Sequence, residues 1–209
     1  MLITIESLNE KYDMKVGGIL HVGAHEAEEL SSYGIFGDIP VYWVEANTEI
    51  AEKLTASLSA DLNQHVITAV VSDTSGQEVS FNIANNGQSS SILELGTHKT
   101  AHPEVHYVDT ETRRTESLYD LVSKHEVPET VNFVNLDIQG AELLALKGLG
   151  GLLTGFDYIY TEVNVQRLYE DCALLEEIDA FLTDYERVET DLIESFGWGD
   201  AFYVRKAIL

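Results

Sequence analysis

Acidic side chains stand where several short apolar runs of the sequence end. Glu45 ends the run VYWVE, Asp137 ends NFVNLD, and Glu162 ends YIYTE. A carboxylate at the end of an otherwise apolar strand is costly to bury unless it is paired or used, so these positions favour a functional site. Such carboxylates can accept hydrogen bonds from ligand hydroxyls, take a proton from a reacting group, or bind a hard cation.

A turn of small residues follows the first apolar run, in the segment HVGAHEAEE at residues 21–29. Small residues at that point let the backbone and the start of a following helix approach a ligand closely. Glu45 follows the glycine of this turn at the distance of about 20 residues that is typical of an acid binding ribose hydroxyls. The residues that we predict to bind a nucleoside-containing cofactor here are His21, Gly23, Ala24, His25, Glu45 and Ala46.

The acidity of the turn distinguishes between nucleoside ligands. In a G-x-G-x-x-G frame beginning at Gly23, Glu26 and Glu28 stand where the phosphates of a dinucleotide would lie and would be repelled. S-adenosylmethionine offers the same adenine and ribose without phosphate, and it carries a sulfonium and an ammonium. The turn therefore favours S-adenosylmethionine, and an NAD(P)-dependent oxidoreductase is the alternative.

The other strand ends add further candidates. Ser72 and Asp73 end the run HVITAVVSD, where an aspartate can contact adenine or can simply form an Asx turn. Asn164 ends the same run as Glu162, and the following segment NVQRLYEDC brings polar side chains to the same edge. The predicted substrate-binding residues are Asn164, Arg167 and Tyr169.

Asp137 and Glu162 are the predicted catalytic residues. Either can act as a general base toward a hydroxyl, or the two can bind a divalent cation together with Asn164. Histidines at positions 98, 102 and 106 are further candidate bases. The sequence leaves both base and metal activation open.

The pattern of these runs predicts an α/β fold. Near-continuous apolar runs at 17–23, 40–46, 65–73, 130–138 and 156–164 are typical of parallel strands covered on both faces. Helical patterns alternate with them at 26–34, 47–60, 115–126, 140–153 and 173–185. Two alternating runs near the C-terminus predict a hairpin. We expect a three-layer doubly wound domain with a mostly parallel seven-stranded sheet, closed by a C-terminal antiparallel hairpin.

Residues 77–114 interrupt the alternation with two strand-like ends around a Gly, Asn and Ser-rich loop. Insertions of this length are usually functional, so we expect this one to contribute to the acceptor site. Nothing else divides the chain, and we predict a single domain over residues 1–209.

Composition limits the partners. Lys and Arg total 12 against 36 Asp and Glu, which gives a formal net charge of -24. Such a surface should repel nucleic acid and anionic membranes. One cysteine, Cys172, cannot form an internal disulfide, and no targeting or membrane-spanning run is recognisable. We therefore expect a cytoplasmic protein that binds a small molecule.

The motifs HVGAHEAEE, WVEAN, VVSDTSG, NNGQSSSIL, LDIQGAELLALKGL, YIYTEVN and WGDAFYVR together resemble the FkbM family of methyltransferases. The most specific stretch, LDIQGAELLALKG, is similar to that family's D-[VI]-[EQ]-G-A-E signature, whose acids match Asp137 and Glu142. The resemblance implies the class I methyltransferase fold, S-adenosylmethionine as donor, and O-methylation of a small or saccharide acceptor. His21 stands where the family more often has Asp, which leaves a non-catalytic binding module on the same fold as a further alternative.

Overall fold

The short β-branched and aromatic runs form a central sheet in the computed structural model, which describes residues 1–209. Ten strands are present: β1 (Ile19–Val22), β2 (Val41–Glu45), β3 (Gln64–Thr68), β4 (Val70–Ser72), β5 (Glu78–Ala84), β6 (Tyr107–Ser117), β7 (Phe133–Leu136), β8 (Tyr158–Asn164), β9 (Tyr185–Ile193) and β10 (Trp198–Arg205).

Seven of these strands make the main sheet in the order β3-β2-β1-β7-β8-β10-β9. The first five pair in parallel, whereas β10 pairs antiparallel with both β8 and β9. The strand order reverses between β1 and β7, and ligands of open α/β sheets bind outside the carboxyl ends of the strands at such a switch point. The predicted fold class and the C-terminal hairpin are confirmed.

Helices cover both faces of the sheet, because neighbouring strand residues point to opposite sides. They are α1 (Ile5–Tyr12), α2 (Leu30–Tyr33), α3 (Thr48–Leu58), α4 (His98–Ala101), α5 (Leu118–Lys124), α6 (Glu142–Gly148) and α7 (Leu175–Phe181). Ile19 packs with residues of α1 and α3, whereas the adjacent Leu20 packs with α5, α6 and α7. The molecule thus has three layers. None of its helices has the length and apolarity needed to cross a membrane.

The helix predicted over residues 26–34 is wrong in its first half. Residues 24–29 are irregular, α2 is a single turn, and a 3-10 turn follows at 34–36. His25 and Ala27 have left-handed backbone, with φ of 43° and 57°, which an α-helix does not accommodate. The turn after β1 therefore presents irregular backbone, and not a helix N-terminus, to its surroundings.

Other predicted boundaries also change. The run 65–73 is two strands, because β3 ends at Thr68 in the main sheet and β4, which begins at Val70, pairs in a different sheet. Helix α5 begins at residue 118 because the residues before it belong to β6, while α6 and α7 are shorter than predicted. Helix α1 was not predicted.

The insertion at 77–114 contributes β5 and most of β6 to a small second sheet, which β4 completes in the order β4-β6-β5. The loop between β5 and α4 contacts the turns that follow the main strands. Ser91 donates to the carbonyl of Gln139 at 2.8 Å, and the Gly96 N–H donates to the carbonyl of Leu168 at 2.7 Å. The insertion therefore lies against the carboxyl ends of the main sheet.

Candidate active site

Two adjoining cavities open at the carboxyl ends of β1, β2, β7 and β8. The first, which we name the apolar cavity, has eighteen lining residues, of which ten are hydrophobic. The second, the acidic cleft, is larger, and only five of its twenty lining residues are hydrophobic. Both cavities are lined by Gly23, His25, Gln88 and Asp137.

Gly23 allows the ends of β1 and β7 to approach each other. Its φ is +93°, and a Cβ at this position would lie 1.7 Å from the carbonyl oxygen of Asp137. The Asp137 N–H in turn donates to the carbonyl of Val22 at 2.9 Å. Both the positive φ and the closeness of the Asp137 carbonyl therefore require glycine at position 23. The close approach of the two strand ends places Asp137 beside the turn.

Glu45 is a buried carboxylate at the edge of the apolar cavity. Its two oxygens accept the backbone N–H groups of His25 at 2.8 Å and Asn47 at 2.7 Å. Burial raises the pKa of Glu45, and these two amides oppose the rise. A carboxylate has about four acceptor sites, so Glu45 retains capacity for ligand hydroxyls. Ala46 lines the same cavity.

His25 and Ala24 have different roles in the turn. The Nδ1 atom of His25 lies 2.8 Å from a Glu28 oxygen, and its side chain lines both cavities. Ala24 is buried, lines neither cavity, and packs into the apolar core behind the turn. Its backbone N–H donates to the carbonyl of Val44 at 3.0 Å, so Ala24 attaches the turn to the end of β2.

His21 is a neutral residue in an aromatic cluster. Its Nδ1 atom lies 2.9 Å from the hydroxyl of Tyr33, which also accepts the side-chain amide of Asn135 at 2.7 Å. Burial lowers the pKa of His21 to about 3, and its ring lies 5.0 Å from that of Trp43. One edge of His21 lines the acidic cleft, so this position presents an uncharged imidazole to the site.

Gln139 joins the two predicted catalytic carboxylates. Its amide nitrogen donates to Asp137 at 2.7 Å and to Glu162 at 3.0 Å. Its amide oxygen accepts the hydroxyl of Tyr169 at 2.6 Å, which fixes the orientation of the amide. Sequence analysis did not predict this role, although the position of Gln139 between Asp137 and Gly140 in the signature stretch was a signal for it.

The carboxylates of this group have raised pKa values. Burial, followed by the charges of Asp137, Glu142 and Asp200, raises the pKa of Glu162 well above its ordinary value. The Asp137 side chain is exposed to the cleft. Desolvation by the surrounding protein, followed by the charge of Asp200, raises its pKa, and the hydrogen bond from the Gln139 amide opposes this rise. Two carboxyl groups this close favour a shared proton, with Glu162 holding it more firmly than Asp137.

Glu142 fixes the turn that carries these groups. It is buried, and one carboxylate oxygen accepts the N–H groups of Ile138 and Gly140, each at 3.0 Å. Burial raises its pKa to about 7. Glu142 lines neither cavity, so its part in the signature is to hold the turn that positions Asp137 and Gln139.

A model of the FkbM methyltransferase domain matches residues 21–188. The chain belongs to the FkbM methyltransferase family. The predicted family and the prediction of an S-adenosylmethionine-dependent methyltransferase are confirmed, and the oxidoreductase alternative is wrong. No curated protein matches the chain.

Solved structures show the same fold at low sequence identity. The magnesium protoporphyrin IX methyltransferase of Synechocystis PCC 6803, with bound S-adenosylmethionine, has a TM-score of 0.54 at 9% identity, over 97% of this chain and 76% of that chain. A Streptococcus pneumoniae protein in complex with S-adenosyl-L-methionine has a TM-score of 0.53 at 13% identity, over 98% and 73% of the two chains. The class I methyltransferase fold is thus shared.

Two candidates for adenine contact lie away from the site of this FkbM methyltransferase. Ser72 and Asp73 line neither cavity, and a Cβ on Gly148 of α6 would lie 2.4 Å from the Ser72 carbonyl oxygen. The chain leaves the main sheet at Ala69, which carries these residues to α6. Ala69, Val70 and Val71, which precede them in the chain, line the apolar cavity.

Two of the three predicted substrate-binding residues also need correction. The guanidinium of Arg167 donates to the carbonyl of Cys172 and lies 3.4 Å from Glu177, so it points away from the cleft. Asn164 is buried opposite Trp198 in the β8–β10 pairing, and it lines neither cavity. Tyr169, the third, lines the acidic cleft and contacts Gln139.

Among the candidate histidines, His98 and His102 line the acidic cleft, whereas His106 is exposed beside the Glu104 carbonyl. No group of three or more His, Cys, Asp or Glu side chains is arranged to bind a metal ion. The cation site predicted from Asp137, Glu162 and Asn164 is not assembled, because Asn164 lies outside the cleft.

Proposed function

We propose that this methyltransferase transfers the methyl group of S-adenosylmethionine to a hydroxyl oxygen of a small or saccharide acceptor. The observation that carries the proposal is the position of Asp137 where the two cavities meet. One cavity has the character needed for an adenosine group, and the other has room for an acceptor. A base at their junction can reach the acceptor hydroxyl when that hydroxyl faces the methyl group.

The residues of the apolar cavity fit the donor. Val71, Phe81 and Ile138 offer apolar walls to an adenine ring, and the free acceptor sites of Glu45 suit ribose hydroxyls. No Lys or Arg lines the cavity, so a phosphate would find no counter-charge there. When bound, S-adenosylmethionine supplies a methyl group attached to a positively charged sulfur.

The chain's own contribution to the chemistry is placement and proton removal. Holding the acceptor oxygen about 3 Å from the methyl carbon, on the axis of the breaking bond, supplies much of the rate enhancement. The acceptor oxygen forms the new O–C bond while the S–C bond breaks and its electron pair stays on sulfur. The hydroxyl proton passes to the carboxylate of Asp137, whose raised pKa makes it a better base than an ordinary aspartate.

Glu162 and Gln139 act on Asp137 and not on the acceptor. Glu162 retains its proton and therefore leaves the negative charge of the pair on Asp137. The Gln139 amide, oriented by Tyr169, holds the carboxylate in one position. We regard Gln139 and Tyr169 as positioning residues for the base.

The proposal is tested with deuterium-labelled methyl donor, a panel of sugars and small alcohols, and location of the transferred label by NMR and mass spectrometry. Label on oxygen is expected. The Asp137→Asn variant should lower kcat by roughly 10²- to 10⁴-fold while donor affinity changes little. Asp184→Asn, an exposed change before β9, is the matched control and should retain full activity.

Label on nitrogen or carbon would contradict oxygen as the target. An Asp137→Asn enzyme with unchanged kcat would remove Asp137 as the base. A loss of comparable size in His98→Asn, with Asp137→Asn still active, would assign the base to His98 in its place.

A further inference from the structure

The acidic cleft has an unusual balance of charge for an acceptor site. Six carboxyl groups line it, and no Lys or Arg does. Arg167, the nearest candidate cation in the sequence, is directed toward Cys172 and Glu177. The lining acids are Glu28, Glu29, Glu104, Asp137, Glu162 and Asp200.

The hydrogen bonds of these acids leave capacity for a ligand. The Glu29 carboxylate is hydrogen-bonded by no residue other than Glu29 itself, and the Glu104 carboxylate lies 3.6 Å from the Nδ1 atom of His102, which is too long for a hydrogen bond. A primary ammonium is thus a group that these carboxylates favour electrostatically.

Part of the wall of the cleft is aromatic. Tyr169 lies 5.3 Å from the His98 ring, His98 lies 5.0 Å from His102, and His102 lies 4.8 Å from Phe196. Tyr169, His98, His102 and Trp198 line the cleft. Aromatic faces attract cations and pack against sugar rings, so this wall suits the same ligand as the carboxylates.

His98 provides a separate indication that this wall binds a polar group. It is 5% exposed, and its Nδ1 atom has no hydrogen-bond partner. Burial and then the neighbouring His102 lower its pKa, so the ring is neutral near pH 7. A buried polar atom without a partner is costly, and a hydroxyl or ammonium donor would satisfy it.

We propose that the acceptor carries a protonated amine as well as the hydroxyl that is methylated, which places it among amino sugars and amino alcohols. This inference rests on the function proposed above, because it concerns the acceptor of the same reaction. The carboxylates of the cleft stabilise the ammonium form of the amine. An ammonium has no free electron pair, so the methyl group is directed to oxygen.

The same balance of charge excludes phosphorylated and carboxylated acceptors. Their anionic groups would be desolvated among six acids with no guanidinium or ammonium side chain to pair with. Glucosamine, glucose and glucose 6-phosphate therefore make a matched set of probes that differ mainly in charge.

The test is calorimetric titration of these three sugars into protein saturated with S-adenosylhomocysteine. Glucosamine should bind at least ten-fold more tightly than glucose, and glucose 6-phosphate should not bind. Glu104→Gln should weaken glucosamine binding two- to five-fold and leave glucose binding unchanged, a size expected for one exposed ion pair. Glu129→Gln, an equal change of charge at the opposite edge of the sheet, should affect neither sugar.

Preference for glucose or glucose 6-phosphate, no binding of any sugar, or equal effects of the two variants would overturn the inference. The prior binding of S-adenosylhomocysteine reports separately on the proposed function. If that ligand binds and glucosamine does not, the amine inference alone fails. If S-adenosylhomocysteine itself does not bind, the proposed function fails first.

Discussion

The apolar cavity and the acidic cleft are adjacent, but different parts of the chain build them. Strand ends of the main sheet form the apolar cavity, and backbone hydrogen bonds at Gly23 and Glu45 fix its shape. Loop segments form most of the cleft, and side chains such as Gln139 and Tyr169 determine its shape. The donor side is thus constrained by the fold itself, whereas the acceptor side can change with single side chains.

Among the substitutions on the donor side, Gly23→Ala should have the largest effect on donor binding. Gly23→Ala would place a Cβ 1.7 Å from the Asp137 carbonyl oxygen at a φ of +93°, so the turn must move. We expect donor binding to weaken more than 100-fold, together with a lower melting temperature. Calorimetry with S-adenosylhomocysteine and thermal unfolding measure the two effects.

Gly37→Ala is the matched control, since Gly37 has a φ of +83° and no atom within 4 Å of its added Cβ. Gly37→Ala introduces backbone strain without a collision, because φ 83° with ψ -154° is a conformation that only glycine adopts readily, and it should cost about 1–3 kcal/mol of stability. Equal donor affinities in the two variants would show that the close approach at Gly23 is not needed for binding.

Glu45→Ala should have the next largest effect. Loss of its hydrogen bonds to ribose should weaken S-adenosylhomocysteine binding by about 1.5–3 kcal/mol. Glu52→Ala, an exposed change in α3, should leave the affinity unaltered. If Glu45→Ala binds as the wild type does, Glu45 does not contact the donor.

Glu142→Gln tests the turn that both cavities share. The pKa of Glu142 rises from 4.5 to about 7 on folding, so the folded state holds its proton more firmly than the unfolded state does. This stabilisation is fully present below pH 4.5 and is lost as the pH rises through about 7. Glu142→Gln removes this titration. The change in the free energy of unfolding between pH 5 and pH 8 should therefore be about 1–3 kcal/mol smaller in the variant than in the wild type.

Urea unfolding at the two pH values measures this difference. Glutamine can still accept the two backbone N–H groups from its carbonyl oxygen, so the variant should fold. Glu176→Gln, at a more exposed position at the start of α7, should show the wild-type pH dependence. The same dependence in Glu142→Gln would mean that Glu142 titrates normally.

Arg167→Ala should have the smallest effect. Because its guanidinium contacts Cys172 and Glu177 and not the cleft, donor and sugar affinities should change less than two-fold. A larger loss of sugar binding by calorimetry would show that Arg167 turns into the cleft when the acceptor binds.

Much of the donor side could be predicted from the sequence. Parallel strands bring their carboxyl ends to one edge of the sheet, so reading those ends was enough to bring Gly23, Glu45 and Asp137 together. The same rule failed for Ser72 and Asp73, because the run that contains them is divided after Thr68 and its second half joins another sheet. The hydropathy of the run did not reveal this change of sheet.

The acceptor side was much less predictable. Residue type suggested Arg167 as a ligand, but its direction depends on contacts with Cys172, in an irregular segment, and with Glu177 of α7. Gln139 acquires its position from a left-handed backbone, with φ of 56°, and from the hydroxyl of Tyr169 30 residues away. Side-chain direction in such loops follows from tertiary packing, which a single sequence does not display.

Calorimetric titration of the wild-type protein with S-adenosylhomocysteine and NAD determines whether the apolar cavity and Glu45 bind a nucleoside without phosphates. The two ligands share adenine and ribose and differ in the pyrophosphate. We expect measurable binding of S-adenosylhomocysteine and none of NAD. Binding of NAD without binding of S-adenosylhomocysteine would show that the apolar cavity is a dinucleotide site.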